Sequence, residues 1–375
     1  MKSVSNAIKN FIHEADMFLM VICAISSIFG LLLVGSAPLS SDGTVRLVLV
    51  QGFAIFLGLL LFVLFTLIDI EDLTGYWKVI LVFNILFVLS TLVFGKEVDG
   101  NRSWLEIPVI NMRVQPAEIV KITFVLLLAK QMYSVREHIS SVKSVLFLGT
   151  HLILMIGTIW IASSDMGMSL VYVFIFICMA FAAGVRLWWF LGGAIAVAAA
   201  FPYIWSSLGS YQQMRVLVVL DDTLDPLGIG YQASRSKLAI GSGKLFGQGL
   251  FNGTQTQRGI LPAKHTDFIF AVAGEELGMV GCVAIMILLV MIIIRCLYVA
   301  AHAKTGMGSL ICVGIAAMLI FQTFENIGMC VGLTPIIGIT LPFFSYGGSS
   351  IITMFAAMGI VSGIKMRPMP DWLKN

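Results

Sequence analysis

The sequence predicts an all-α integral membrane protein: about ten transmembrane helices, with one large loop between the seventh and eighth. Three observations predict it. Charged residues are 11% of the 375-residue chain, against roughly 25% in soluble domains. Hydrophobic residues are 59%, and the mean hydropathy is +0.98. The apolar residues also gather into runs of about 20, the length that crosses a hydrocarbon core. The formal net charge of +3 is too small to argue for a nucleic-acid partner.

The spans are read, in order, at about 17–36, 45–68, 76–95, 115–134, 144–162, 166–184, 187–206, 268–295, 307–331 and 343–364. The basic start runs directly into HEADMFLMVICAISSIFGLLLVG, which reads as the first span and not as a cleaved signal. Gly and Pro inside several runs are ordinary for membrane helices. The one long connection, about 207–267, mixes charges, glycines and short amphipathic pieces. The chain is thus one polytopic domain, 1–375. Its six cysteines lack CxxC spacing and lie in or beside apolar runs, so they read as packing residues.

Orientation follows from Lys and Arg in the short loops. With both termini cytoplasmic, twelve such residues fall inside. Four fall outside: Arg46, Lys96, Arg102 and Arg113. This orientation puts the 207–267 loop, and the HTDF that follows it, on the outer face.

A chain with so few charges places several of them around LPAKHTDFIFAVAGEELG, residues 261–278. Asp267 precedes an apolar helix, where it is either an N-cap or a functional carboxylate at a membrane edge. Both roles can hold at once. Read as one continuous helix, Asp267, Ala271, Gly274 and Gly278 share a face on which another helix could approach closely. Lys121 lies within the fourth span, in VQPAEIVKITFVLLLAKQ. It either snorkels or pairs locally with Glu118, or it pairs with a carboxylate of another span, for which Asp267 is the natural candidate. Asp165, in IASSDMGMSL, is an N-cap or an orienting group for a polar substrate. Of Glu275 and Glu276, one is expected to face a cavity. Arg102 and Trp104, in GNRSWLEIP, are either a solvated arginine beside an interfacial tryptophan or a phosphate contact. The stretch GLTPIIGITLPFFSYGGSS, with Ser345 and Tyr346, breaks helix geometry at membrane depth, which is tolerated where backbone is buried in protein or lines a wet cavity. IGSGKLFG is not a P-loop, since Lys244 is followed by Leu245.

Taken together, NRSWLEI, VQPAEIVKI (Gln115 to Ile122), SDMGMSL, IGSGKLFGQGL, LPAKHTDFIFAVAGEELGMVG and LTPIIGITLPFFSYGGSS resemble the SEDS proteins (shape, elongation, division and sporulation), the RodA/FtsW/SpoVE group, with the RodA-like branch favoured. The sequence departs from the usual pattern at Ala117, where the family has Ser, and at Ser164, where it has Pro. The resemblance implies a multi-pass protein of the bacterial cytoplasmic membrane. It implies a peptidoglycan glycosyltransferase that joins lipid II units into glycan strands, with a class B penicillin-binding protein as partner. It makes Asp267 the essential acidic residue and Lys121 the buried lysine near it. Beside these two, taken as the catalytic pair, the candidate substrate contacts are Arg102, Trp104, Gln115, Glu118, Asp165, His265, Glu275, Glu276, Ser345 and Tyr346.

The chemistry agrees. Outside a bacterial inner membrane there is no ATP, and lipid II arrives already activated by its pyrophosphate. A carboxylate within about 3 Å of a sugar hydroxyl can accept its proton as it attacks the donor. Arg, Lys or a divalent metal, Mg²⁺ or Mn²⁺, can stabilise the departing pyrophosphate. No cofactor is specified by the residues themselves. Two other readings stand beside this one: a lipid II flippase or other transporter, whose transit path the same charges would line, and a non-catalytic scaffold of the cell-wall machinery.

Overall fold

Every apolar run read from the sequence corresponds to a long helix in the computed structural model, which describes residues 11, 13–37, 41–98, 101–107 and 112–367. The long helices and those of the large connection are α1 (Met17–Ser36), α2 (Ser41–Leu67), α3 (Trp77–Phe94), α4 (Pro116–Ser134), α5 (Val142–Ser163), α6 (Met166–Ala182), α7 (Leu187–Ser207), α8 (Ser210–Leu220), α9 (Ile229–Ser242), α10 (Ile269–Glu276), α11 (Gly278–Ala301), α12 (Gly306–Val331) and α13 (Gly348–Met366). Among the described residues eight helices are long and apolar enough to cross a membrane: α1, α2, α3, α5, α7, α11, α12 and α13. α6 is equally apolar but has 17 residues. α4 carries Glu118, Lys121 and Lys130 in 19 residues. It tolerates them because it lies inside the bundle, with nearly every side chain from Pro116 to Met132 buried.

The termini of these helices are set by local chemistry. Ser141 caps α5 by accepting from Ser144 N at 3.2 Å. Thr305 caps α12 by accepting from Gly308 N at 3.0 Å. Pro116 stands at the start of α4, where a missing N–H costs nothing. α12 stops at Gly332, in the left-handed conformation.

α4, α12 and α13 form the buried centre, with α2 laid along α13. α7 is the opposite case. It is apolar all round and has no buried residue. It is tied down near its ends, by Trp189 Nε1 to Ser140 O (3.0 Å) and by Gln213 Nε2 to Trp205 O (2.7 Å). A helix apolar on every face, and exposed on every face, is one that lipid must cover.

The helices alternate up and down, so the 207–267 connection and the 333–347 segment share one end, here the upper face. Asp16 marks the lower end. Its carboxylate accepts from Leu19 N at the start of α1 and from Arg295 Nε near the end of α11, at 3.2 and 2.7 Å. Lys365 of α13 lies 3.7 Å from it. One buried, paired carboxylate thus ties three helices together.

The structure differs from the sequence reading in four places. The eighth span, read as 268–295, is broken: Leu277 and Gly278, the latter at φ +69°, separate α10 from α11. A side chain at Gly278 would also meet Gly247 N at 2.4 Å. The tenth helix starts at Gly348, not at about 343, because the broken stretch extends further. The large connection is not open loop, since α8 and α9 occupy much of it and α9 packs on α10 and α12. Finally, residues read as an outer loop form a three-stranded antiparallel sheet, β1 (Lys96–Val98), β2 (Asn101–Ile107) and β3 (Met112–Val114). Asp99-Gly100 falls between β1 and β2 in the sequence. That dipeptide favours two-residue hairpins, so a signal was there. Lys96 and Glu106 pair across this sheet.

The orientation inferred from the Lys/Arg balance is testable by labelling. Single cysteines at Ser210, the first residue of α8, and at Lys304, between α11 and α12, are expected to react with an impermeant reagent from outside and inside respectively. Reaction of the Ser210 site from the cytoplasm alone would reverse the assignment.

Candidate active site

Two non-helical pieces meet at the upper face. One is the turn Pro262–Phe268 before α10. The other is the 333–347 segment between α12 and α13. Non-helical backbone at membrane depth must have its polar groups paired internally, and these two pieces pair largely with each other. Tyr346 N donates to His265 O at 2.8 Å. Ser345 Oγ donates to Thr266 O at 2.6 Å and accepts from Leu341 N at 2.8 Å. Asn326, on α12, donates to Asp267 O at 2.8 Å and to Ile339 O at 2.7 Å. Three successive carbonyls, of His265, Thr266 and Asp267, are thereby held. Gln51, fully buried on α2, secures the other side. It donates to Ser345 O at 3.0 Å and accepts from Gly347 N at 3.2 Å.

Asp267 lies half-buried within this junction. Its Oδ2 faces Gly338, at 3.4 Å from where a Cβ would stand. Gly338 has φ +73°, a conformation that glycine adopts without strain. The continuous helical face expected for Asp267, Ala271, Gly274 and Gly278 does not exist, since Asp267 precedes α10 in a turn and Gly278 follows the break. The N-cap position of α10 is Phe268, so Asp267 stands one residue ahead of it, in the turn.

The start of α6, with Asp165, also packs against the 333–347 segment. Asp165 caps α6, its Oδ1 accepting from Met168 N at 2.9 Å, as the capping reading had it. Its Oδ2 accepts from Gln115 Nε2 at 3.0 Å. Burial pushes the Asp165 carboxyl above its ordinary range, against the pull of the Met168 amide. A Cβ on Gly167 would stand 3.1 Å from Ile337 O. The start of α6 and the Asp267 carboxylate thus both approach the Ile337–Gly338 backbone.

The pair expected between Lys121 and Asp267 is not formed. Lys121 Nζ lies 2.7 Å from Glu118 Oε2, on its own helix, and both side chains are buried. This is the local alternative weighed from the sequence, and the i,i+3 spacing explains it, because such residues share a helix face. The other Glu118 oxygen is 3.5 Å from Gln322 Nε2 on α12. Gln322 is one turn below Asn326, so the Lys121 and Asp267 centres sit on neighbouring turns of the same central helix.

Glu275 and Glu276 are also corrected: neither faces an open cavity. Both are fully buried. Glu275 accepts from Thr254 Oγ1, Gln255 N, Thr256 N and Thr256 Oγ1, at 3.2, 2.7, 2.9 and 2.6 Å. Glu276 accepts from Phe251 N at 3.1 Å and from Gln257 Nε2 at 2.9 Å. Gln257 Nε2 also donates to Ser36 O, at the end of α1, at 2.6 Å. The two acids hold the 251–257 strap over α10. Lys264 supports it by donating to Thr256 O at 2.6 Å.

His265 is half-buried, with its ring 5.8 Å from that of Tyr346 in an edge-on arrangement. Burial, and then the Lys264 charge, hold its pKa below the usual value, so the imidazole is neutral near pH 7. Ser345 and Tyr346, expected as substrate contacts, supply their hydroxyl and amide to the scaffold. Arg102 and Trp104 stand on β2, the first exposed and the second half-buried.

Sequence reasoning missed Asn326 and Gln51, and it counted Arg46 and Arg113 only for orientation. Both arginines are exposed, and their charges act on Tyr346 and on Glu106. Among the described residues no three His, Cys, Asp or Glu side chains gather as a metal cage. A divalent ion at Asp267 would have to take most of its ligands from substrate phosphates and water, as Mg²⁺ commonly does.

The sequence pattern of the FTSW_RODA_SPOVE family, described as cell cycle protein, matches residues 16–368. The peptidoglycan glycosyltransferase MrdB of Escherichia coli K12 is 36% identical over 310 residues, 82% of each chain. The probable peptidoglycan glycosyltransferase FtsW of Bacillus subtilis 168 is 34% identical over 328 residues, 84% of this chain and 80% of that one. Among solved structures, a chain of a peptidoglycan synthase complex that coordinates polymerization and crosslinking superposes with a TM-score of 0.80. It is 30% identical, covering 94% of this chain and 97% of that one. The rod shape determining protein RodA of Thermus thermophilus superposes with a TM-score of 0.69 at 28% identity, covering 94% and 96%.

The buried pair gives a test that separates stability from function. Glu118→Leu leaves an unpaired buried ammonium and is expected to cost about 3–5 kcal/mol, whereas replacing both partners by apolar residues is often neutral. The single variant should therefore melt well below the wild type in detergent, and Glu118→Leu with Lys121→Met should recover most of the loss. If the recovered double variant also keeps full activity, Lys121 has a structural role alone.

Proposed function

The chain belongs to the FtsW/RodA/SpoVE family, and we propose that it is a peptidoglycan glycosyltransferase that polymerises lipid II at the outer face of the bacterial cytoplasmic membrane. On this reading it has ten spans and cytoplasmic termini, and it works with a class B penicillin-binding protein. One observation carries the reading to a residue: the Asp267 turn is held at the upper face through three successive carbonyls, with the carboxylate against Gly338.

The reaction follows from that position. A hydroxyl of the acceptor sugar attacks the anomeric carbon of the donor, forming the new C–O bond. The bond from that carbon to the pyrophosphate oxygen breaks, and the polyprenyl pyrophosphate leaves with the electron pair. Asp267 accepts the hydroxyl proton. A pyrophosphate needs no strong acid to depart, so one carboxylate suffices where glycoside hydrolysis uses two. Exposed Arg46 and Arg113, whose charges act on Tyr346, are placed to offset the charge of the departing phosphates. Asp165, tied to Gln115 and to the start of α6, orients polar substrate groups across the Ile337–Gly338 backbone. The neutral imidazole of His265 adds a hydrogen-bonding group beside the base without placing a cation on it.

Asp267→Asn tests this directly, because Asn keeps the size and hydrogen-bonding capacity and loses the basicity. A positioned general base contributes about 10²–10⁴-fold. The purified variant, with its partner and lipid II, is expected to fold, to bind the partner and to make glycan at under about one per cent of the wild-type rate. Polymerisation at the wild-type rate would remove Asp267 as the base and leave the scaffold reading standing.

A further inference from the structure

We infer that Asn326 is the positioning residue of the site: its amide sets the direction of the Asp267 carboxylate by fastening the Asp267 turn to the Ile339 backbone. The inference rests on Asp267 acting as the base.

Asn326 is fully buried in α12. Both hydrogens of its side-chain amide are used, one on Asp267 O at 2.8 Å and the other on Ile339 O at 2.7 Å. Since both partners are carbonyls, the nitrogen must face them, and the orientation of the amide is not open to a flip. The price of this arrangement is visible, because Asn326 Oδ1 is buried with no hydrogen-bond partner among the described residues. A buried acceptor left unpaired is destabilising, so the side chain gives up one bond to make the other two.

Geometry explains what these two bonds do. Asp267 and Gly338 are in different chain segments, and the carboxylate lies against Gly338. Ile339 is the next residue. Asn326 therefore holds both walls of the narrow place where the carboxylate sits, at the carbonyl of each. The adjacent carbonyls, of His265 and Thr266, are held by Tyr346 N and Ser345 Oγ. Those bonds fix the turn as a whole. Asn326 donates to the Asp267 carbonyl itself, which Cys330 Sγ also approaches at 3.8 Å, and fixing that peptide fixes the backbone from which the carboxylate projects. A displacement of about 1 Å in a reacting group can cost about 10²-fold in rate, so the clamp acts on kcat with little effect on substrate binding.

The test uses the full-length protein with its partner and lipid II. Asn326→Leu keeps the branched shape and removes both donors. The expected result is a fall in kcat of about 10–100-fold with KM within about twofold. Asn326→Ser keeps one donor and is expected to fall between Leu and wild type. It also serves if the Leu variant does not fold. The decisive comparison is the double variant. If Asn326 acts only through the base, adding Asn326→Leu to Asp267→Asn lowers the rate no further, because the two residues act as one unit. A double variant slower by the product of the two single effects overturns the inference, as does Asn326→Leu at the wild-type kcat while Asp267→Asn is inactive. Wild-type activity of Asp267→Asn itself is a different failure: it removes the base, and with it the reading on which the clamp depends.

Discussion

Backbone that leaves the helix at membrane depth must find every hydrogen-bond partner inside the protein. In this chain that constraint is met by setting two broken segments against each other. The turn before α10 offers carbonyls, and the 333–347 segment and α12 offer donors: the Tyr346 amide, the Ser345 hydroxyl and the Asn326 amide. Gln51 closes the junction from α2. The site for Asp267 exists because of that mutual satisfaction. Asp267 stands in the turn that leads into α10, and that turn is fastened at three successive carbonyls.

Glu275 and Glu276 serve the same end. Glu275 accepts four hydrogen bonds from residues 254–256, and Glu276 accepts from Phe251 and Gln257. They anchor a strap that reaches the end of α1 through Gln257 and Ser36. α10 is therefore gripped by the strap on its glutamates and by α9 on another side, while its leading turn is gripped by α12 and the 333–347 segment. Far from the site, Asp16 ties α1, α11 and α13 at the lower end. Few charges are present, and most of the described ones inside the bundle are paired or hydrogen-bonded, as the cost of burial requires, while Glu325 of α12 keeps a buried Oε1 with no hydrogen-bond partner among the described residues.

The fold class was legible because hydrophobicity at this scale has one outlet. Runs of apolar residues separated by short polar links become membrane helices, and the helix positions followed within a few residues. The breaks were less legible. Gly278 inside an apolar run reads as an ordinary membrane glycine, and only its neighbours in space, Gly247 and Leu245, show why the helix stops there. The hairpin at β1 and β2 had its signal in Asp99-Gly100, overridden by the all-helical pattern around it. Of the site, the individual acids and Lys121 stood out because charge in apolar sequence is conspicuous. Their partners did not. Glu118 outcompeted Asp267 for Lys121 because it is local, and Glu275 and Glu276 turned toward a loop that is separated from them by about twenty residues of sequence. Asn326 and Gln51 were invisible to a reading that looked for charge. Uncharged amides inside membrane helices are costly in their own right, and that signal could have found them.

The central claim is that the Asp267 carboxylate meets the attacking hydroxyl. A structure of the protein with an acceptor glycan and a donor analogue that cannot release its pyrophosphate would test it most directly. The account predicts the attacking hydroxyl within about 3 Å of an Asp267 oxygen, with the donor phosphates on the Arg46 and Arg113 side. A hydroxyl placed instead on Asp165 or His265, with Asp267 out of reach, would contradict it.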